Sequence, residues 1–357
     1  MTNDLVRIEV RGTYQSYINL FFGLGSSCGA AFGGFLCDRI GWRWTFGIQV
    51  PPVLAILICA IFTTPSELGP NLVKNNNMSW SKILMVFDLF GSLLLSNASA
   101  FLILGLNLGG NILPWKHPLV IASFVTSFIA ALALLWIEPK VRRPILPLAM
   151  LFATPRSNLV FSNFFFQLGT YSVLFNAPLY FQAVKLDSPS LSGFRLAIPA
   201  LILMICGVSC GFFITRTGRM KIPQVAGGIS GLIGAICLST MWKGIPTWLA
   251  TIFVIPPSAG QGLMFPATTL AVLATSTQED QAVMTTTLVL WRQLGIVMGV
   301  AVSSLIVQNT LLAFLAHFVT GPEKAKVCFF IDVSLSADLR YIDHTTRSQI
   351  RSCHSRF

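Results

Sequence analysis

Residues 119–137 carry no charge, and their apolar side chains would cover every face of a helix. Residues 201–213 repeat the pattern. A helix that is apolar all round needs either a large protein core or lipid about it. The whole chain points to lipid. Of its 357 residues 54% are hydrophobic and 10% charged, with a mean hydropathy of +0.72, where soluble domains carry about 25% charged residues. Membrane β-strands would alternate apolar and polar residues over about ten positions, which these stretches do not. The expected class is therefore an all-α, polytopic membrane protein.

A span takes about 20 residues. Nine fit, at about 14–37, 43–63, 86–109, 118–137, 158–182, 193–214, 223–242, 247–274 and 283–309. Residues 1–13 then form an N-terminal loop, 14–309 the membrane region and 310–357 a polar tail, expected to be disordered. Placing 1–13 in the cytosol gives cytosolic loops Arg7, Arg11, Lys74, Lys82, Lys140, Arg142, Arg143, Arg156, Arg216, Arg219 and Lys221. The other side receives Arg39, Arg43, Lys116, Lys185, Arg195 and Lys243. That excess sets the orientation by the positive-inside rule. Residues 64–82 and 138–156 become cytosolic connections. Residues 1–12 lack the apolar core of a signal peptide.

Gly25, Gly29 and Gly33 recur every fourth residue, with Gly34 beside the last. Small residues on one face let membrane helices pack backbone to backbone, since lipid offers no hydrophobic drive for their joining. The turn that follows, Asp38-Arg39-Ile40-Gly41-Trp42-Arg43-Trp44, places charge and indole rings at a water–lipid boundary.

The formal charge of +11 is scattered through loops, which reports topology rather than a nucleic-acid partner. The eight cysteines show no C-x-x-C or metal spacing, and the four histidines are dispersed. With no Walker loop, H-E-x-x-H or nucleophile triad, an enzyme is not indicated. No cofactor and no metal is expected.

Three motifs together resemble the major facilitator superfamily, and within it the fungal fourteen-span drug:proton antiporter branch. The first is the glycine rib with Asp38, Gly41-Trp42-Arg43-Trp44, Phe46, Gln49 and Pro51. The second is Leu106-Asn107-Leu108-Gly109-Gly110-Asn111 with Pro114-Trp115 and His117-Pro118. The third is Gln281-Ala282-Val283-Met284 with Arg292, Leu294-Gly295 and Gly299-Val300-Ala301. The last two are closest in look to vacuolar basic amino-acid transporters. The resemblance covers residues 1–315 and implies a partial facilitator bundle, four helices preceding it and one following, as in a transporter truncated at both ends. Ala30 stands where the antiporter signature has proline, which tilts the resemblance from efflux toward the vacuolar subgroup. Residues 211–221 echo the turn after the first span, in keeping with repeat-built transporters.

The function the resemblance implies is proton-coupled secondary transport of a small solute, either basic amino acids or amphiphilic drugs. The partners are then the lipid bilayer, the solute and protons, and the vacuolar membrane is favoured over the plasma membrane. Multidrug efflux at the plasma membrane and a non-transporting membrane scaffold are the alternatives. Arg292 is the basic residue well inside a span, where a charge costs about 2.5–3.5 kcal/mol on insertion scales and faces protein or water. Gln167, Tyr171 and Asn176 lie on another span and form, with Arg292, the expected cavity wall. Asp38 and Arg39 after the first span, and Arg216, Gly218 and Arg219 after the sixth, are the candidate gating turns. Asp88 opens the third span, where the helix dipole stabilises an acid, with a proton or cation site as the alternative. The neutral polar residues Gln49, Asn107, Tyr180, Gln182, Gln224 and Gln261 complete the polar set of the spans.

Overall fold

The computed structural model describes residues 11–63, 88–109, 113–141, 151–242, 244–276 and 281–318. Its elements are α1 (Arg11–Ile40), α2 (Trp42–Gly47), α3 (Val50–Thr63), α4 (Leu89–Leu108), α5 (Pro118–Ile137), a 3-10 turn (Glu138–Lys140), α6 (Arg156–Ala183), α7 (Pro189–Thr217), α8 (Lys221–Ser239), α9 (Thr247–Phe253), α10 (Ile255–Ala274) and α11 (Gln281–Phe318). Among the described residues eight segments are long and apolar enough to cross a membrane. The 28-residue α6 is not one of them by composition, although at 1.5 Å per residue it is about 42 Å long. The protein is an all-α polytopic membrane protein.

Local chemistry explains where the helices stop. Gly41, at φ 85°, separates α1 from α2 in a conformation that costs glycine little. Pro51 and Pro52 open α3 and split the expected second span, because neither can donate to the preceding turn. Pro256 and Pro257 likewise divide the expected eighth span into α9 and α10. There Ser230 of α8 donates to the Pro256 carbonyl at 2.7 Å. Asp88 caps α4 by accepting from the Gly91 N–H at 2.8 Å, and Ser188 does the same for α7 from Leu191. Gly218, at φ 66°, closes α7 in the left-handed conformation, its N–H on the Ile214 carbonyl.

The longest helix contact pairs α1 with α7, antiparallel, from Ser16 beside Val208 to Asp38 beside Ser190. Helix α7 also packs on α10, and α8 lies on the other flank of α10. Helix α6 crosses α10 and meets α11, where Ser172 donates to the Gly299 carbonyl at 3.0 Å. Helices α4 and α5 pack on each other through Ser127, which donates to the Ala98 carbonyl at 2.7 Å, and through Phe124 against Gly105. The apolar core lies at three places: Val160, Val272, Met284 and Leu288 between α6, α10 and α11; Ala177, Phe181, Ala250 and Val254 between α6 and α9; and Cys210, Ile214, Ala267 and Leu270 between α7 and α10.

The chain divides at Ser304. In the second unit the described residues continue the helix to Phe318, past the expected end of the ninth span, with Asn309 donating to the Leu305 carbonyl. Helix α1 starts at Arg11, inside the expected N-terminal loop. Residues 1–10, the connection 64–82, the centre of 138–156 and the tail from 319 lie outside the described residues.

Candidate functional site

Gln261, Phe265 and Thr269 follow one another at four-residue intervals and so share one side of α10. Arg292 of α11 reaches that side. Its guanidinium carbon sits 3.9 Å from the Phe265 ring centroid, and Nη2 donates to the Thr269 hydroxyl at 3.3 Å. The Thr269 hydroxyl itself donates to the Phe265 carbonyl at 2.9 Å, which leaves its lone pairs to the arginine. Arg292 is only 5% exposed and its Nε has no hydrogen-bond partner. Among the described residues no carboxylate forms an ion pair with it; the pair of that kind is Arg195 with Asp187, at 2.8 Å near the start of α7.

The Phe265 ring also borders a small half-open crevice of about 20 Å³, lined by Asn19, Phe22, Leu203, Gly207, Gln261, Gly262 and Phe265. Three helices, α1, α7 and α10, contribute. Phe22 lies nearly parallel to Phe265, the planes 8° apart and the centroids 6.5 Å. Gly207 and Gly262 make the crevice narrow at the back, where a side chain on Gly262 would run into the Leu203 carbonyl. Asn19 and Gln261 are each 5% exposed, and one amide atom of each lacks a partner.

Helices α6, α10 and α11 carry further buried polar residues. Asn163, Gln167 and Thr268 are at most 1% exposed, and each has a side-chain atom without a partner, as has Trp291 through its indole N–H. Trp291 is held edge-on by Phe161 and Phe164 of α6. An unpaired polar atom buried in a membrane interior costs several kcal/mol.

Of the expected cavity residues, Gln167 and Arg292 are buried, on α6 and α11, and Tyr171 is half-buried on α6. Asn176 is engaged within α6, donating to the Ser172 carbonyl at 2.7 Å. The gating candidates separate to opposite ends of α7. Asp38 accepts from the Ser190 N–H at 2.9 Å in the first turn, and Arg39 rests on Phe35. Arg216, Gly218 and Arg219 are exposed at the far end. Of the expected packing glycines, Gly34 meets α7 at the carbonyl of Pro189, whereas a side chain on Gly25, Gly29 or Gly33 would enter open space. The α1 face that does meet α7 carries Ser16, Asn19, Gly23, Ala30 and Gly34.

Comparison with known proteins agrees with this architecture. The profile of the Major Facilitator Superfamily matches residues 1–300. The chain belongs to the Major Facilitator Superfamily. Vacuolar basic amino acid transporter 2 of Saccharomyces cerevisiae is 31% identical over 347 residues, 96% of this chain and 73% of that protein. The vacuolar membrane amino acid uptake transporter fnx2 of Schizosaccharomyces pombe is 31% identical over 313 residues, 87% of this chain and 53% of its own length. The multidrug resistance protein fnx1 of the same yeast is 29% identical over 320 residues, 88% of this chain and 58% of its own length. The chain thus spans between half and three-quarters of these facilitator relatives.

Sequence reasoning found Arg292 because a charge within an apolar span stands out. It passed over Asn19, Asn163, Phe265 and Thr269. The usable signal for Asn19 was the spacing 16, 19, 23, 27, 30, 34 of small and polar residues along α1, which mixes steps of three and four. Phe265 left no such mark, being one aromatic residue in an apolar helix.

Proposed function

We propose that this protein is a secondary transporter that moves a small solute through the crevice bounded by Asn19, Gln261 and Phe265. Basic amino acids are the favoured solute, the vacuolar membrane the favoured site, and a proton gradient the drive. One observation carries the reading: four helices of an otherwise apolar protein bury polar atoms without partners, on Asn19 of α1, Asn163 and Gln167 of α6, Gln261 and Thr268 of α10, and Trp291 and Arg292 of α11. Polar groups within spans mark solute and ion pathways, and facilitator bundles hold their solute near the midplane. The amino-acid class and the vacuolar site follow the names of two relatives. The bond from Asp38 to the first turn of α7 is then a closure on one side of the membrane, and Arg216, Gly218 and Arg219 mark the turn on the other.

The flat faces of Phe22 and Phe265 support a second reading, export of amphiphilic drugs. Purified protein in liposomes decides between them. Accumulation of radiolabelled L-arginine that follows an imposed pH gradient and collapses with a protonophore is the expected result. Accumulation of a rhodamine dye instead would favour drug export, and no movement of either under any gradient would refute transport.

A further inference from the structure

Arg292 is buried and charged, and among the described residues no carboxylate neutralises it. Its guanidinium is stacked on Phe265, and Nη2 rests on the lone pairs of Thr269. These contacts fix the plane of the group without balancing its charge. Nε has no partner although the residue is 5% exposed. A buried charge in a protein interior is ordinarily paired, and a planar guanidinium matches a carboxylate two bonds at a time. Arg292 does not itself line the crevice, but its guanidinium lies over the Phe265 ring, which borders the same space as Asn19 and Gln261. Those two side chains add unsatisfied amide atoms, which supply further donors and acceptors for a ligand that carries both kinds of group.

We infer that Arg292 is the anion-recognition group of the crevice and binds the carboxylate of the solute, with Phe265 and Thr269 orienting the guanidinium. The inference rests on the reading of the crevice as the solute site, and it adds the chemical class: a solute bearing a carboxylate, as every free amino acid does. It also accounts for a cationic solute being received beside a cationic side chain. The contact is with the solute's acid group, and its positive end lies toward the unpartnered amide oxygen of Gln261. An amphiphilic drug cation without an acid group would leave Arg292 unpaired and so be disfavoured.

The test is competition binding to the full chain in lipid nanodiscs, with radiolabelled L-arginine displaced by unlabelled L-arginine or by L-argininamide, which keeps the side chain and amino group but lacks the carboxylate. In the wild type the amide is expected to compete about tenfold or more weakly, the worth of about 1.4 kcal/mol. In Arg292→Gln the two competitors should become equal, each measured against residual binding. In Arg292→Lys, which keeps the charge and loses the fork, part of the preference should return. Monodisperse elution of each variant establishes that it has folded. Equal competition in the wild type would overturn the inference and leave transport standing, and this holds even if neither variant folds. A preference retained in Arg292→Gln would overturn it as well. Absence of wild-type binding to either compound, together with no uptake of any probe, would instead overturn the transport reading itself.

Discussion

Helix α6 and helix α5 are both long enough to cross a bilayer, but they place their polar residues in opposite relation to their surroundings. Helix α5 is among the most apolar spans in the protein, and Phe128, Ile129 and Trp136 remain more than half exposed on it. Helix α6 falls short of a span by composition, yet its Asn163, Gln167 and Thr170 are buried among neighbouring helices. The same relation holds for the segment 247–274, which has the lowest hydropathy of the eight spans and the largest buried share, half of its central window. In water the apolar element goes inside. Here lipid takes the outer, apolar surface, and protein must surround the residues that lipid will not accept. In α6 and in 247–274 low hydropathy therefore goes with burial by protein.

The largest expected effect lies where α6 meets α11. Gly299→Leu drives a side chain into the Leu168 carbonyl, and a loss of about 3 kcal/mol or more, read by SDS-induced unfolding in mixed micelles, is expected. The same change at Gly25, which faces open space, should cost nothing and gain up to about 1 kcal/mol of helix propensity. Equal damage at both glycines would break the distinction between central and peripheral faces. Next comes Gln167→Leu. Removing an unpaired buried amide should raise stability by about 1 kcal/mol while L-arginine uptake falls; unchanged uptake would reduce Gln167 to packing. On the peripheral side, Ser127→Ala removes the bond between α4 and α5, and about 0.6 kcal/mol is the expected loss. Phe128→Leu, on the face of α5 given to lipid, should stay within about 0.5 kcal/mol. A larger loss there would mean that the face is covered by protein.

The class of fold was legible because charge-free runs of span length admit few structures, and Asp88 was placed correctly at a helix start by its position alone. The proline pairs at 51–52 and 256–257 were visible, but whether they bend or divide a span depends on neighbours such as Ser230. The α1 face that meets α7 was harder to see. Ser16, Asn19, Gly23, Ala30 and Gly34 hold one stripe along the helix by mixing steps of three and four, while Gly25, Gly29 and Gly33 lie on a face that meets nothing among the described residues. Arg292 could be read from its charge, but its setting could not, since the Phe265 face and the Thr269 lone pairs exist only once α10 and α11 have met.

The close contacts of α1 with α7 have a kinetic consequence. Near Asp38 they are made by Gly34 against the Pro189 carbonyl and Gly193 against the Ala30 carbonyl, backbone on backbone. Interlocked side chains must be lifted out before two helices can shift past each other, and each adds to the barrier. A joint of glycine and carbonyl has little to lift, and the hydrogen bond from Ser190 to Asp38 is a polar tie across this end of it.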